Sequence, residues 1–299
     1  MLSFQNMYVL AQDLAQDTDS DSLTFFKTNI NIGQHLLETE LSSFFTEETA
    51  TVTTVAGTSS YDTPARFIRL ENAYVTVSSV RYVMDEVHDE DEWQVYQSNQ
   101  SSTSRSDVAQ KIIVRKDSFE MYPTPSSANT VTLRYEAVSA DLQYADYTTG
   151  TITTLANGAA AVTGSGTTFT AAMTGRYFKI DADNVWYKIA SFGTTTTITL
   201  DKNYEGTAIS SGTETYTIGQ MPITPESTHH IPVYYALMNY YQGFKQNEER
   251  GAYFRGLYEA DMKRAKKTFS RRYSSKYLPP RSQRTKSLIN PNAYPTGLT

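Results

Sequence analysis

The chain has 299 residues, 39% of them hydrophobic, and a formal net charge of −6. It contains no cysteine, which excludes disulfides, thiolate zinc sites and thiol nucleophiles. No apolar run reaches the roughly 20 residues of a membrane span. The first 16 residues lack the basic and apolar regions of a signal peptide, so we expect a protein that is not secreted.

Charge and aromatic residues are unevenly distributed along the chain. Residues 245–286 hold 13 Lys and Arg against 4 Asp and Glu, so the rest of the chain is strongly acidic. A basic end on an acidic body predicts a partner for that end, either nucleic acid or an acidic protein surface. A solvated helix face is the plainer alternative. The 22 tyrosines, each with an apolar body and a polar tip, are typical of surfaces that meet partners.

Residues 1–48 are predicted to be helical. Residues 1–16 are a weaker candidate for a short helix. Residues 21–44 carry apolar side chains at helical spacing, with Asp19, Ser20 or Ser22 as the N-cap. The apolar positions are Leu23, Phe26, Ile30, Leu37, Leu41 and Phe44.

Residues 49–146 predict an antiparallel β region. Six alternating or β-branched segments are separated by turn residues: "TATVTTVAG", "RFIRLENAYVTV", "VRYVMDEV", "EWQVYQ", "QKIIVRKDSFEMYP" and "NTVTLRYEAV". The acidic run "DEVHDEDEW" is interpreted as a solvated hairpin tip. The alternatives are a cation site through its carboxylates and His88, and an acidic face turned towards DNA.

Residues 147–220 predict a small β-sandwich with short strands and frequent turns. "DADN", between "YFKI" and "VWYKI", predicts a hairpin, and "GSGTTF" is a turn because it lacks the lysine of a phosphate-binding loop. Tyr177, Trp186 and Tyr187 suggest a sugar platform. However, Trp186 and Tyr187 are neighbours on a strand, so one of them belongs to the core.

Residues 221–273 predict a helical hairpin, with Pro232 in the first turn of one helix and Asn247 capping the next. His229 and His230 are adjacent and poorly placed to chelate a metal together, so we assign them to a helix start or the surface. Residues 274–299 contain four prolines and little periodicity, which predicts an extended basic arm.

The predicted fold class is therefore α+β. N- and C-terminal helices form a bundle, and the antiparallel β region, the inserted β-sandwich and the arm are attached to it. The sequence has none of the usual catalytic patterns, such as GxSxG, HExxH, a P-loop or GxGxxG. We expect a protein that is not an enzyme and that uses no cofactor or metal.

Three stretches resemble the head-to-tail adaptor (neck or connector) proteins of tailed bacteriophages. "TNINIGQHLLETELSSFFTEETATVTTVAGTSSYDTPARFIRLENAYV" is similar to the adaptor's N-terminal helix and the strands after it. "GSGTTFTAAMTGRYFKIDADNVWYKIASFGTTTTITLDKNYEGT" is similar to a small β module of virion proteins. "PVYYALMNYYQGFKQNEERGAYFRGLYEADMKRA" is similar to the closing helical pair.

The resemblance implies a structural virion protein in the neck, assembled in the host cytoplasm without membrane contact. It implies a ring of about twelve copies under the portal, around the DNA exit channel. DNA would pass through without sequence-specific binding, and the β parts would face tail tube, nozzle or fibre proteins. The predicted portal-binding residues are Arg271, Arg272, Tyr273, Lys276, Tyr277, Leu278, Pro279, Pro280, Arg281 and Arg284.

Two further sets of residues follow from this interpretation. The subunit interface is predicted at Tyr234, Tyr241, Phe244, Phe254 and Tyr258. Docking of tail or fibre proteins is predicted at Tyr177, Trp186 and Tyr187. Two alternatives stay open at this point: a glycan- or receptor-binding protein of the tail-fibre type, and a DNA-binding protein that uses its basic C-terminus.

Overall fold

A computed structural model describes residues 2–41, 45–100 and 105–269. Over these residues the chain is a mixed α+β protein with five α-helices and two curled sheets, so the α+β class is confirmed, although the predicted details of bundle and sandwich are not. The helices are α1 (Phe4–Ala15), α2 (Ser20–Glu40), α3 (Glu90–Ser98), α4 (Ile231–Asn239) and α5 (Glu248–Phe269).

Both ends of the described chain contribute to one helical core. Ser3 caps α1, its hydroxyl accepting from the Asn6 N–H at 3.2 Å. Asn247 caps α5 as predicted, its side-chain oxygen accepting from the Arg250 N–H at 3.1 Å. A π-helical turn, Tyr240–Phe244, continues α4. The buried residues shared by α1, α2, α4 and the π-helical turn include Phe4, Met7, Phe26, Ile30, Val233, Leu237 and Tyr240.

The first sheet has seven strands in the order β1-β7-β3-β4-β5-β6-β2. Their bounds are β1 (Glu47–Thr53), β2 (Ser60–Asp62), β3 (Phe67–Val77), β4 (Val80–Glu86), β5 (Lys111–Val114), β6 (Ser118–Tyr122) and β7 (Thr130–Ala137). One face buries Val75, Met84, Ile112, Phe119, Met121, Val131 and Leu133. The prediction of an all-antiparallel region is wrong at one place, because β4 and β5 pair in parallel.

Helix α3 makes that parallel pairing possible and corrects a second prediction. The segment "EWQVYQ" was predicted to be a strand, but it lies in the helix that crosses from β4 to β5. Asp89 caps this helix by accepting from the Asp91 N–H at 3.0 Å, and three acidic residues occupy its first turn. The acidic run is therefore a helix N-terminus, not a hairpin tip. Trp93 is buried and donates to Glu120 at 3.0 Å.

The second sheet, which we call the β unit, has six strands in the order β13-β10-β11-β12-β9-β8. They are β8 (Thr151–Thr154), β9 (Ala161–Ser165), β10 (Tyr177–Ile180), β11 (Trp186–Thr194), β12 (Thr197–Leu200) and β13 (Tyr216–Gly219). β11 pairs with β10 at its start and with β12 beyond Ile189, where the register shifts. The strands thus form one continuous hydrogen-bonded sheet that curls around a single core. The predicted β-sandwich of two facing sheets is not confirmed.

Candidate assembly surfaces

Helix α4 lies between α2 and α5 and packs against both. A Cβ at Gly33 of α2 would lie 3.1 Å from the Cα of Pro232 and from the side chain of Tyr235, so glycine allows the close approach of α2 and α4. The ring of the same Tyr235 lies 5.5 Å from the ring of Tyr258 on α5. Tyr235 therefore contacts both neighbouring helices.

Helices α2 and α5 run in the same direction. At their starts, the Nζ of Lys245 lies 2.9 Å from the carboxylate of Asp17. At their ends, Lys266 forms an ion pair with Glu40. Leu37 and Met262 share a buried cluster near these ends. The two helices are consequently tied together at both termini.

The predicted subunit-interface residues lie in α4, the π-helical turn and α5, and most of them pack inside this chain. Tyr241 and Phe254 are buried in the helical core, which corrects their assignment to an interface. Tyr234 and Tyr258 are half-buried. Phe244 is 46% exposed, even though its ring contacts those of Phe25 and Tyr240. Helical periodicity alone does not tell an inward aromatic face from an outward one.

Apart from Phe244, the exposed apolar side chains of the helical part were not identified from the sequence. Ile32 and Leu36 on α2 are 43% and 40% exposed, and Tyr253 on α5 is 63% exposed. Their spacing could have indicated this exposure, because Ile32 and Leu36 are one turn apart and lie outside the row of buried residues of α2. These residues and Phe244 are exposed, whereas Tyr241 and Phe254 are buried.

Asp17 organises a polar network between the α1–α2 loop and the π-helical turn. Its carboxylate accepts hydrogen bonds from the Tyr240 hydroxyl, from Lys245 and, at 3.2 Å, from the Ser22 hydroxyl. These donors hold the pKa of Asp17 well below its usual range, the Tyr240 bond having the largest effect. Burial, with the neighbouring carboxylate, raises the pKa of Tyr240 to about 12. The network lines an open cleft of about 590 Å³.

The two adjacent histidines have separate roles within the chain. His229 is buried, which contradicts a surface role: its Nε2 donates to the Thr224 carbonyl at 2.9 Å, and its Nδ1 accepts from the Leu2 N–H at 3.4 Å. Burial lowers the pKa of His229. His230, at the start of α4, contacts Asp261 of α5 at 2.9 Å. Both histidines therefore join segments that are distant in sequence.

On the outer face of the β unit, Tyr177 and Trp186 lie on neighbouring strands and are half-buried. Lys179, directly opposite Trp186, places its Nζ 5.1 Å from the centre of the indole ring. Tyr187 points into the core, as expected for one member of the pair. The three residues predicted to dock tail or fibre proteins are thus split between an outer surface and the interior.

The β unit is joined to the start of α1 by a buried polar contact. The Ser3 hydroxyl donates to Asp146 Oδ2 at 2.8 Å, and Arg176 donates to the carbonyls of Ala145 and Ile218 at 2.9 and 3.0 Å. Burial raises the pKa of Asp146 and lowers that of Arg176. This junction anchors the β unit on the helical part.

Over the residues that the structure describes, no group of three His, Asp or Glu side chains is arranged to hold a metal ion. Within the same residues, no helix is long and apolar enough to cross a membrane. The ten predicted portal-binding residues, like Phe44, lie outside the described residues.

The comparison with protein families bears on the region from α1 to the start of β9. A family model described as SU10 adaptor protein matches residues 5–162, slightly more than half of the chain. The chain belongs to the SU10 adaptor family. This adaptor is thus a structural protein of a bacteriophage, which agrees with the resemblance of its sequence to phage adaptor proteins. No curated protein matches the adaptor at a significant level.

Proposed function

We propose that this adaptor is a structural protein of the virion neck that forms a ring between the portal and the tail and lines the DNA exit channel. The observation that carries the proposal is the family match, which spans α1, α2 and the whole first sheet. The ring would hold about twelve copies and would assemble on the portal in the host cytoplasm. The role is mechanical, so it needs no catalytic residue and no cofactor.

The proposed portal contact is the segment that follows α5. Residues 270–299 hold six Lys and Arg and no Asp or Glu, together with three tyrosines. Such a segment fits an acidic groove with pockets for aromatic side chains. Arg281 directly follows Pro279 and Pro280, and Arg284 comes three residues later. We expect these two cations to make specific contacts with the portal.

The acidic charge of the rest of the chain supports a channel wall. Outside residues 245–286, acidic residues outnumber basic ones by more than two to one. A negative wall repels DNA phosphates, so DNA passes without being held. The β unit, whose outer face carries Trp186 and Tyr177, is proposed to contact tail tube, nozzle or fibre proteins.

The test is to mix the full chain with portal rings of the same virus, separate complexes by size and image them. We expect a second symmetric ring under the portal. A deletion of residues 276–286 should abolish docking. Replacing the same residues by a neutral linker of equal length tests whether docking needs their charge or only the length of the segment. A folded adaptor that does not associate with the portal would refute the proposal.

Two other outcomes would redirect the assignment. Binding to duplex DNA that falls steeply with salt and disappears with the basic segment would favour the DNA-binding alternative. A glycan-array signal that Trp186→Ala abolishes would favour a receptor-binding role for the β unit.

A further inference from the structure

Strand β1 leaves one long edge of the first sheet without a neighbouring strand among the described residues. It is an end strand of the sheet, seven residues long, and pairs with β7. The opposite end strand, β2, has only three residues. In the β unit both end strands have bridge partners, Tyr147 for Ile218 of β13 and Glu214 for Ile152 of β8. The open edge of β1 is therefore a place where another strand can be added.

The pairing with β7 determines which backbone groups of β1 face the open edge. The Thr54 N–H donates to the Asn129 carbonyl at 2.8 Å, and the Ala137 N–H donates to the Thr46 carbonyl at 3.0 Å. The register between these two points is continuous, so the even-numbered residues of β1 bond to β7 and the odd-numbered ones point away from it. The odd-numbered threonines, which we call the edge threonines, are Thr49, Thr51 and Thr53.

The side chains along this edge are only partly covered. Ala50 and Val52 pack against the core of the first sheet but are half-buried. The edge threonines are exposed. A further strand beside β1 would bury Ala50 and Val52 and would supply partners for the free N–H and C=O groups. The edge thus fits an extended peptide segment.

The end of α5 lies at the start of this edge. The rings of Phe45 and Phe269 are in contact, with their centroids 5.8 Å apart. Phe269 is the last residue of α5, and Phe45 precedes β1 by two residues. Lys266, one turn earlier in α5, forms an ion pair with Glu40 at the end of α2. The segment that follows α5 therefore begins beside the first residues of β1.

We propose that the segment after α5 pairs with the open edge of β1 in the same chain and adds a strand to the first sheet. Because β1 and this segment start from the same point, the added strand runs parallel to β1. Residues 270–278 provide nine residues before the first proline, enough to leave the helix and to follow a strand of seven. Pro279 and Pro280 cannot donate to a strand ladder, so they end the pairing.

Backbone hydrogen bonds, not ion pairs, would hold the added strand. The acidic residues of β1, Glu47 and Glu48, already pair with Arg134 and Arg66. The segment contributes Tyr273 and Tyr277, whose aromatic side chains favour strands. We therefore expect the pairing to persist at high salt, unlike a contact made by exposed charges.

The added strand would also set the starting point of the proposed portal contact. Residues beyond Pro280, among them Arg281 and Arg284, would emerge at the far end of β1, near Thr53. They would then make the portal contact, and residues 271–278 would fix the segment to its own chain. This consequence rests on the proposed function, whereas the pairing with β1 does not.

Amide hydrogen exchange of the free full-length chain, followed residue by residue by NMR, tests the pairing. The strand variant carries Ser274→Pro and Ser275→Pro. Adjacent residues of a strand donate to opposite sides, so one of the two prolines removes a donor to β1 whichever register is formed. We expect the N–H groups of the edge threonines to exchange at least about tenfold more slowly in the native chain than in the strand variant.

The matched control is Ser282→Pro with Gln283→Pro, which places two prolines beyond the proposed strand. The edge threonines should exchange in this control as they do in the native chain. The Ala50 and Val52 N–H groups, which bond to β7, report on the sheet itself and should exchange slowly in all three proteins. Equal exchange of the edge threonines in the native chain and in the strand variant would overturn the proposal.

The same measurement distinguishes other occupants of the edge. Dilution of the native chain should not change the protection, because the two strands belong to one molecule. Protection that falls on dilution would assign the edge to a second copy, and protection that appears only with portal rings would assign it to the portal. Either result would overturn the pairing within one chain. Protection that disappears at high salt would overturn the backbone pairing in favour of a contact made by charge.

Portal docking is measured separately, by size, on the same preparations. A protected edge in a chain that does not dock would refute the proposed function and leave the pairing standing. Docking by a chain whose edge threonines exchange freely, before and after the portal is added, would refute the pairing and leave the proposed function standing.

Discussion

The rings of Tyr241 and Phe254 stack face to face, with their centroids 5.6 Å apart and their planes parallel. The pair joins the π-helical turn to the second turn of α5. Arg250 covers the same tyrosine, with its guanidinium carbon 5.4 Å from the ring centre and its Nη1 donating to the hydroxyl at 2.9 Å. The Tyr241 ring and its hydroxyl are thus both held by residues of α5, which gives Tyr241 a role in folding.

Phe254→Ala should destabilise the isolated chain. The side chain is buried in the helical core, so its truncation removes the stacked ring and leaves a cavity. We expect a loss of about 3 kcal/mol in the free energy of unfolding. Urea or guanidinium denaturation of the free protein measures it.

The matched control is Tyr253→Ala, one residue earlier on the exposed side of α5. Its effect on unfolding should stay within about 0.5 kcal/mol. If Phe254→Ala were as mild as this control and impaired only assembly, the residue would belong to a subunit interface after all.

Asp17→Asn should weaken the contact between the α1–α2 loop and the π-helical turn. The change removes the charge that Lys245 and the Tyr240 hydroxyl contact. Hydrogen bonds to a charged group contribute about 1.5–3 kcal/mol, so we expect a loss of about 2 kcal/mol at pH 7. Asp13→Asn, an exposed position one turn earlier, is the control and should be neutral.

The same carboxylate predicts how stability responds to acid. Because the folded-state pKa of Asp17 is lowered, its contribution is complete above the unfolded-state pKa of about 4 and is lost as the pH falls further. The stability difference between the native chain and Asp17→Asn should therefore shrink below pH 4. A difference that stays constant down to pH 2 would contradict the assignment.

Gly150→Ala should destabilise the β unit strongly. Gly150 has φ +83°, and a Cβ there would lie 2.6 Å from the Ser165 carbonyl oxygen. Gly158 is the matched control, with φ +78° but no atom within 4 Å of a Cβ. We expect Gly158→Ala to cost about 1 kcal/mol from backbone strain alone and Gly150→Ala at least about 2 kcal/mol more. Thermal unfolding of both variants compares the two effects, and equal losses would exclude the steric clash.

Sequence patterns identified the long elements because their periodicity was strong. The apolar spacing of α2 and the Asn247 cap of α5 both correspond to structure. Alternation also located most strands of both sheets. The short segment around Trp93 was misassigned, because a single buried aromatic between polar residues fits either a strand or one face of a helix. The Asp89 cap and the acidic first turn decided for the helix.

The parallel pairing of β4 with β5 could not be predicted from the sequence. It depends on recognising α3 as a crossover, and α3 was assigned to a strand. The surfaces were harder still, since Tyr241 and Tyr253 look equivalent in the sequence. Only the packing of α4 against α5 places one inside and the other outside. The burial of His229 follows in the same way from a contact with Leu2, at the far end of the chain.

His229 predicts a second response to pH, in a milder range. Burial lowers its pKa in the folded chain, so the unfolded chain binds a proton more readily. The contribution of His229 to the free energy of unfolding should be complete above the unfolded-state pKa of about 6.5. At lower pH the free energy of unfolding should fall by up to about 1.4 kcal/mol per pH unit. His229→Gln, which cannot titrate, should remove this part of the slope, as measured by denaturation at pH 7, 6 and 5.

The control for this response is His88→Gln, because the side chain of His88 is 81% exposed. It should keep the slope of the native chain. Since His229→Gln also loses hydrogen bonds to Leu2 and Thr224, its absolute stability falls, and the comparison is therefore made on slopes. A slope between pH 7 and 5 that is the same in all three proteins would show that His229 takes up its proton as easily in the folded chain as in the unfolded one. The buried contact that ties the N-terminus to α4 would then have no part in acid sensitivity.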